Sequence, residues 1–478
     1  MHAFIGRKEE LTTLKSLWGK KSASLVIIKG RRRIGKSRLV EEFGKDHKFY
    51  PFTGLPPTSH TTAKSQRDIF AKQLKSNLGI TVEEDNWWSL LQALAKETEK
   101  SKTIILFDEI SWIGSKDPDF LGILKTVWDT HFKRNPQLIL ILCGSVSSWI
   151  EKNILSSTGF LGRISLTLTL EELSLPECNS FWGNQRHSTS PYEKFKVLAV
   201  MGGVPRYLEE IRPHLSAEDN IHDLCFNKNG ILFDEFEKIF SDLFSSRSEI
   251  YKHIVNYLAE IKGDRNQIAK ALKMEVGGVI SSYLDDLEKA GFIARDFSWI
   301  IKDSKLSKLS HFRLSDNYLR FYLKYILPNK PKISSGIFKE RSITSLPGWS
   351  SIMGYQFENL VLRNRRYLHK LLEIRPEDVL SEGPYFQRTT KRNSGCQIDY
   401  MIQTKFESLY VCEIRFSKHE LKQDVIKEIK EKISHLKRPR YFSYRPILIH
   451  VNGVSEHLED SDYFGKIINF SDFLSESL

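Results

Sequence analysis

Cysteine is scarce in this chain: five in 478 residues, at Cys143, Cys178, Cys225, Cys396 and Cys412. They stand singly, without a C-x-x-C pair, which excludes a zinc ribbon and leaves no disulfide framework to staple a small fold. Long apolar runs are also missing. None reaches the 18 residues that a membrane-spanning helix needs, and the opening MHAFIGRKEELTTL is charged where a signal peptide would be apolar. There is no low-complexity tract. A reducing cytoplasm is therefore expected, with no membrane partner. The length is too great for one hydrophobic core, so several domains are expected. The formal charge of +12 permits a polyanionic partner such as nucleic acid without requiring one.

What is present centres on Ser24 to Val40, SLVIIKGRRRIGKSRLV. An apolar β-branched strand feeds a glycine-bracketed turn, Gly30, Arg31, Arg32, Arg33, Ile34, Gly35, Lys36 and Ser37, and a helix follows from Ser37 through Arg38. The spacing is G-x-x-x-x-G-K-S, a phosphate loop. Backbone N–H groups and a helix N-terminus form an anion cradle, Lys36 reaches the β and γ phosphates, and the Ser37 hydroxyl can sit on Mg²⁺. Downstream, Thr103 to Trp112 (TIILFDEISW) is an apolar run ending in paired acids. Asp108 is placed to hold the metal and Glu109 to orient or deprotonate the attacking water.

A further apolar strand, Gln137 to Cys143, exits into Gly144 and Ser145. At the carboxyl end of a parallel strand, Ser145 is either a sensor of the γ phosphate or an ordinary strand exit. Arg163 lies in a glycine-flanked turn, where it either reaches a nucleotide of its own or a neighbouring subunit or is simply solvated. Phe195 to Leu208 (FKVLAVMGGVPRYL) breaks at two glycines and restarts at Pro205, which aims Arg206 from a helix start.

The set FIGRKEEL, GRRRIGKSRL, IILFDEI, CGS, LGR and GGVPRYL resembles the archaeal-type branch of the AAA+ ATPases, relatives of the signal-transduction ATPases with numerous domains. The resemblance covers roughly residues 1 to 330. It implies a P-loop AAA+ parallel-sheet domain, with Lys36 and Ser37 as the Walker A pair and Asp108 with Glu109 as the Walker B pair. It also implies Ser145 at the first sensor, Arg163 near the arginine finger and Arg206 on the GG-x-P-R-Y motif. ATP with Mg²⁺ and a nucleotide-dependent homo-oligomer follow from it.

Between residues 216 and 330, three helices (248–261, 265–272 and 279–290) precede a strand, FIARDFSWIIK, in the order of a winged helix–turn–helix. The third helix carries Asp285, Asp286 and Glu288, which argues against base reading by this module alone. HFRLSDNYLRFYLKYILP is expected to be an aromatic-rich helix, and 331–348 a linker.

In residues 349–478, a helix carries Glu358, a strand at 395–402 carries Asp399, and a strand at 409–416 carries Glu413 and Arg415. Glu413 and Arg415 are two apart and share a face. Two carboxylates and a cation are the minimal apparatus for metal-dependent phosphodiester hydrolysis, with Asp399 and Glu413 as the metal ligands. This part resembles the restriction-endonuclease-like PD-(D/E)xK fold, with Glu358, Asp399, Glu413 and Arg415 on its helical acid, D, E and usual K. Arg415 departs from the pattern: an arginine clamps phosphate but is no tunable base. The resulting expectation is an α/β chain with domains at 1–215, 216–330 and 349–478. ATP binding and hydrolysis would drive a DNA-binding, nuclease-like C-terminal domain. A signal-responsive ATPase with a catalytically silent partner-binding domain, and a nucleotide-regulated winged-helix transcription factor, are the alternatives.

Overall fold

The computed structural model describes residues 4–475 apart from 84, 100, 146, 245–247, 339–341 and 391–393. The chain divides into two compact units, 1–171 and 172–478. Residues 172–215, expected in the first domain, thus belong to the second unit.

The first unit is built on five parallel strands: β1 (Ser24–Lys29), β2 (Lys48–Thr53), β3 (Thr103–Asp108), β4 (Leu138–Gly144) and β5 (Ile164–Thr169), in the spatial order 2-3-4-1-5. Residues of alternate parity go to opposite faces of a strand, and here both faces are covered. Leu25, Ile27, Ile105, Phe107, Leu140 and Leu142 pack under the helices Ala63–Leu78, Trp87–Glu97 and Phe120–Thr130. Val26, Ile28, Ile104, Leu106, Ile141 and Cys143 pack on the other side, under Lys8–Ser16 and Lys36–Gly44. This double burial explains why β1, β3 and β4 read as continuous apolar runs. Lys29 pairs in register with Gly144, and Phe107 with Leu142. The loops leaving β1, β3 and β4 therefore emerge at one sheet edge.

In the second unit, the helices Ser248–Glu260, Arg265–Ala271 and Gly278–Lys289 lead into an antiparallel hairpin, β6 (Ile293–Ile300) and β7 (Lys305–Leu314). The aromatic helix starts later than expected, at Asn317, and passes through a π-helical turn, Tyr322–Ile326, directly into the helix Leu327–Ser334. Residues 311–314 complete β7, and Asp316 caps a helix Asn317–Phe321 by accepting from the Leu319 N–H at 2.8 Å. The expected linker begins inside a helix, Leu327–Ser334, and continues past Ile343 and Leu346, both buried; its residues 339–341 lie outside the described set. Proline in a helix's first turn costs no internal hydrogen bond, so Pro328 starts this helix where it was read as punctuation.

A mixed sheet follows in the order β12-β11-β10-β9-β8: β8 (Val379–Gln387), β9 (Cys396–Thr404), β10 (Ser408–Arg415), β11 (Ser443–His450) and β12 (Lys466–Asn469). The first three run antiparallel, β10 to β12 parallel, and the helix Asp424–His435 crosses between β10 and β11. The hairpin and the helix Trp349–Arg363 share a buried polar interior. Arg313 donates to Asn359, and Asn359 and Gln356 donate to the carbonyls of Leu314 and Asn317. Such groups, once buried, fix one arrangement because each must keep its partner. Among the described residues no helix is long and apolar enough to cross a membrane.

Candidate functional site

The phosphate loop is shaped by backbone that side chains resist. Gly30 and Gly35 have φ of 151° and 85°, and a Cβ on Gly30 would sit 2.4 Å from the Leu170 carbonyl oxygen. Only glycine fits that approach. Arg33 takes φ 70° without that freedom. Lys36 opens the helix Lys36–Gly44 and is buried, donating to the carbonyls of Gly30 at 3.0 Å and Arg31 at 3.1 Å. Burial pushes its ammonium below the usual lysine value, opposed chiefly by the Glu109 carboxylate.

Two hydrogen bonds join the three strand exits. Ser37 Oγ donates to Asp108 Oδ2 at 2.6 Å, and Ser145 Oγ donates to Glu109 Oε2 at 2.9 Å. Lys36, Ser37, Asp108, Glu109 and Ser145 are therefore one site. Glu109 itself has φ 51°, a left-handed conformation that turns its side chain back across the end of β4. Strain of this kind costs about 1–3 kcal/mol and is held where the surroundings over-determine it. The oxygens of Ser37 and Asp108 form a hard donor pair suited to Mg²⁺.

Sequence reasoning missed one positioning residue. Arg7, buried and at φ 60°, donates to the Ile34 carbonyl of the loop at 3.1 Å, to the Glu171 carbonyl, and to Glu10 at 3.0 Å. The pair Gly6-Arg7 before the helix was the available signal. Arg38, one helical residue past Ser37, lies 3.7 Å from Glu41.

Arg163 does not join the Lys36 cluster. Its guanidinium forks onto Asp129 of the helix Phe120–Thr130, with Nε to Oδ1 at 2.9 Å and Nη2 to Oδ2 at 2.8 Å. That hydrogen bonding holds Asp129 down to about 2. Arg206 lies in the second unit, on the short helix Pro205–Leu208, paired with Glu210 at 2.6 Å and Glu209 at 3.4 Å.

The second unit does gather its expected acids. Asp399 accepts from the Ile414 N–H at 2.9 Å. Burial first, then the charges of Glu413 and Glu358, push its carboxyl up to about 7. Glu413 is buried between two cations: Arg415 Nε lies 2.7 Å from its Oε1, and Lys432 Nζ donates to both oxygens at 2.7 and 2.8 Å. Arg415 also donates to Glu428 at 2.6 Å. Glu358 is held by Lys262 at 2.6 Å. Lys432 and Lys262 went unread in the sequence. Lys432 could have been found as the i+4 neighbour of Glu428 on one face of a helix following the E-x-R strand. Among the described residues, no three His, Cys, Asp or Glu side chains are arranged to hold a metal ion.

Against known proteins, residues 4–211 match a family described as an ATPase domain predominantly from Archaea. An uncharacterised protein of Methanocaldococcus jannaschii is 25% identical over 395 residues, 80% of this chain and 82% of its own length. An uncharacterised ATP-binding protein of the same organism is 44% identical over 45 residues, 9% of this chain and 76% of that protein. Among solved structures, a Walker-type ATPase of Pyrococcus abyssi is similar over 67% of this chain and 96% of its own, at 16% identity and a TM-score of 0.49. The family match takes in every phosphate-loop residue, both acids of β3 and its exit, Ser145, Arg163 and Arg206. Over residues 4–211 the chain is therefore similar to an ATPase domain found predominantly in Archaea.

Proposed function

We propose that the chain is a Mg²⁺-dependent ATPase of the AAA+ kind, working as a switch or motor on a nucleic-acid-binding C-terminal domain. The observation that carries the ATPase half is the pair of contacts Ser37–Asp108 and Glu109–Ser145 at one sheet edge. The Gly30–Gly35 cradle and Lys36 bind the β and γ phosphates, with Arg31, Arg32 and Ile34 shaping the loop. Ser37 and Asp108 would hold Mg²⁺, which supplies neutralisation of the charge on the transferring phosphoryl group. Glu109 takes the proton of the attacking water. Ser145, sharing the Glu109 carboxylate, links that event to the exit of β4. Arg163, half-buried on its Asp129 anchor, is the group offered to a neighbouring subunit in a nucleotide-dependent homo-oligomer, and Arg206 is a second phosphate-sensing candidate. Lys36→Ala is expected to abolish nucleotide binding. Unchanged affinity and turnover in that variant would end the ATPase reading.

The second unit supports a winged-helix module followed by a restriction-endonuclease-like domain. In that reading Glu358, Asp399 and Glu413 are its acids, Arg415 clamps the scissile phosphate, and Asp399 with Glu413 are the ligands for a divalent cation. The test is Mn²⁺-dependent nicking of plasmid by wild type and by Asp399→Ala/Glu413→Ala; absence of nicking on every substrate with ATP present removes the nuclease. One observation favours the alternative of a catalytically silent domain. Both oxygens of Glu413 are already taken by Lys432.

A further inference from the structure

The C-terminal domain carries a basic and aromatic face that neither centre uses. Residues 435–445, HLKRPRYFSYR, hold four Lys/Arg and three aromatic residues without one acid. They run from the end of the helix Asp424–His435 into β11. The segment is pinned to β8 on its way: Lys437 N–H donates to Gln387 Oε1 at 3.0 Å, and Gln387 Nε2 donates to the His435 carbonyl at 2.6 Å. This is a fixed platform rather than a loose basic tail.

Two cavities open on either side of Arg438. One, of about 560 Å³, is walled by Lys430, Arg438, Arg440, Tyr444 and Tyr463. The other, of about 610 Å³, is walled by Lys302, Arg388, Lys437, Arg438 and Tyr385. Among the described residues, no carboxylate lines either one. Of these six cations Arg388 is paired with Asp264 at 3.2 Å; the other five repel one another, a cost that an anionic ligand offsets. Arg438 is held ready, 4.8 Å over the Tyr444 ring and donating to the Phe442 carbonyl at 2.7 Å. The Tyr463 hydroxyl is buried and, among the described residues, has no hydrogen-bond partner, a polar group that a ligand in the first cavity can satisfy. Tyr441 and Tyr444 are 57% and 40% exposed, unusual for large rings and suited to stacking on bases. Each cavity is large enough for a nucleotide-sized group.

We propose that this face binds single-stranded nucleic acid, with one nucleotide in each cavity, the phosphate between them on Arg438, the base of the first cavity stacked on Tyr444 and a flanking base stacked on the exposed Tyr441. The inference rests on the reading of the C-terminal domain as nucleic-acid-binding and places that binding outside the Asp399–Glu413 cluster.

The test is fluorescence anisotropy of the full chain in EDTA with labelled oligo(dT), oligo(U) and a duplex of equal length. Wild type is expected to bind the single strands more tightly than the duplex. Arg438→Glu/Arg440→Glu should weaken oligo(dT) at least about tenfold and flatten the salt slope by about 1.4, at 0.7 per lost phosphate contact. Tyr441→Ala should weaken it about 5- to 150-fold with the slope unchanged, as loss of stacking requires. An unchanged circular dichroism spectrum and urea midpoint check that every variant is folded. If wild type binds but the arginine and tyrosine variants bind equally well, or if the duplex is preferred, this surface is overturned while nucleic-acid binding stands. If wild type binds none of the three, the reading of the whole domain falls with it.

Discussion

Replacing Arg7 should reverse the usual ranking of alanine over glycine. Arg7 is buried at φ 60° and donates to the Ile34 and Glu171 carbonyls and to Glu10. Hydrogen bonds to a charged donor contribute about 1.5–3 kcal/mol each. The two carbonyl contacts together are thus worth about 3–6 kcal/mol, and Arg7→Ala and Arg7→Gly both lose them. They differ in the backbone. An L residue held in the left-handed region costs about 1–2 kcal/mol, which glycine avoids, while glycine's looser unfolded chain returns up to about 1. Arg7→Gly should therefore be the more stable of the two by about 1 kcal/mol, the opposite of their order in an ordinary helix. Arg7→Lys keeps the charge but has no fork to reach separated carbonyls, so it should recover less than half of the loss. Urea unfolding of the three variants beside wild type measures this, with ATP affinity as the second reading because Ile34 belongs to the phosphate loop. Equal stability of wild type and Arg7→Ala, or alanine clearly above glycine, would refute the argument.

Three further outcomes follow from the same geometry. Glu109→Gln should keep ATP affinity and cut steady-state hydrolysis about 10²- to 10⁴-fold, the usual contribution of a positioned base; a rate within threefold of wild type removes Glu109 from that role. Gly30→Ala drives a methyl to 2.4 Å from the Leu170 carbonyl, so nucleotide binding by calorimetry should be lost while circular dichroism keeps the wild-type helix content. Asp399, raised to about 7, gives stability that is present at low pH and lost as pH rises through 7, because the folded state holds the proton more tightly. In magnesium-free buffer Asp399→Asn should match wild type near pH 4 and exceed it increasingly up to pH 8. The linkage ceiling is about 4 kcal/mol, and a pH-independent difference in denaturation midpoints would contradict the cause assigned.

The phosphate-loop cluster was legible because its signal is written locally. The phosphate loop is one contiguous segment, and β1, β3 and β4 announce themselves by runs that both sheet faces bury. Their order was not legible. Nothing in the spacing says that β4 lies between β1 and β3, yet that insertion lets Ser145 reach Glu109. Arg7 was opaque for the same reason, since its partner carbonyls are 27 and 164 residues away. In the second unit the E-x-R strand was readable from its two-residue period. Lys432 was not, because a crossover helix brings it back 19 residues later. The segment 331–348 misled through its prolines: Pro328 starts a helix, and Ile333, Ile343 and Leu346 bury it against the rest of the unit.

The two clusters are built on opposite electrostatic principles. At the phosphate loop, Lys36 is matched to backbone carbonyls, and the oxygens of Ser37 and Asp108 face each other with no cation between them. An incoming divalent ion there displaces one hydrogen bond and breaks no ion pair. Around Asp399 the protein has supplied its own cations: Lys262 on Glu358, and Lys432 with Arg415 on Glu413. A metal at Glu413 must first move the Lys432 ammonium, and Asp399, pushed up to about 7, must give up a proton near neutrality. A polyanion that draws Lys432 and Arg415 toward itself eases the first step but opposes the second, because the Lys432 cation is what favours the Asp399 carboxylate.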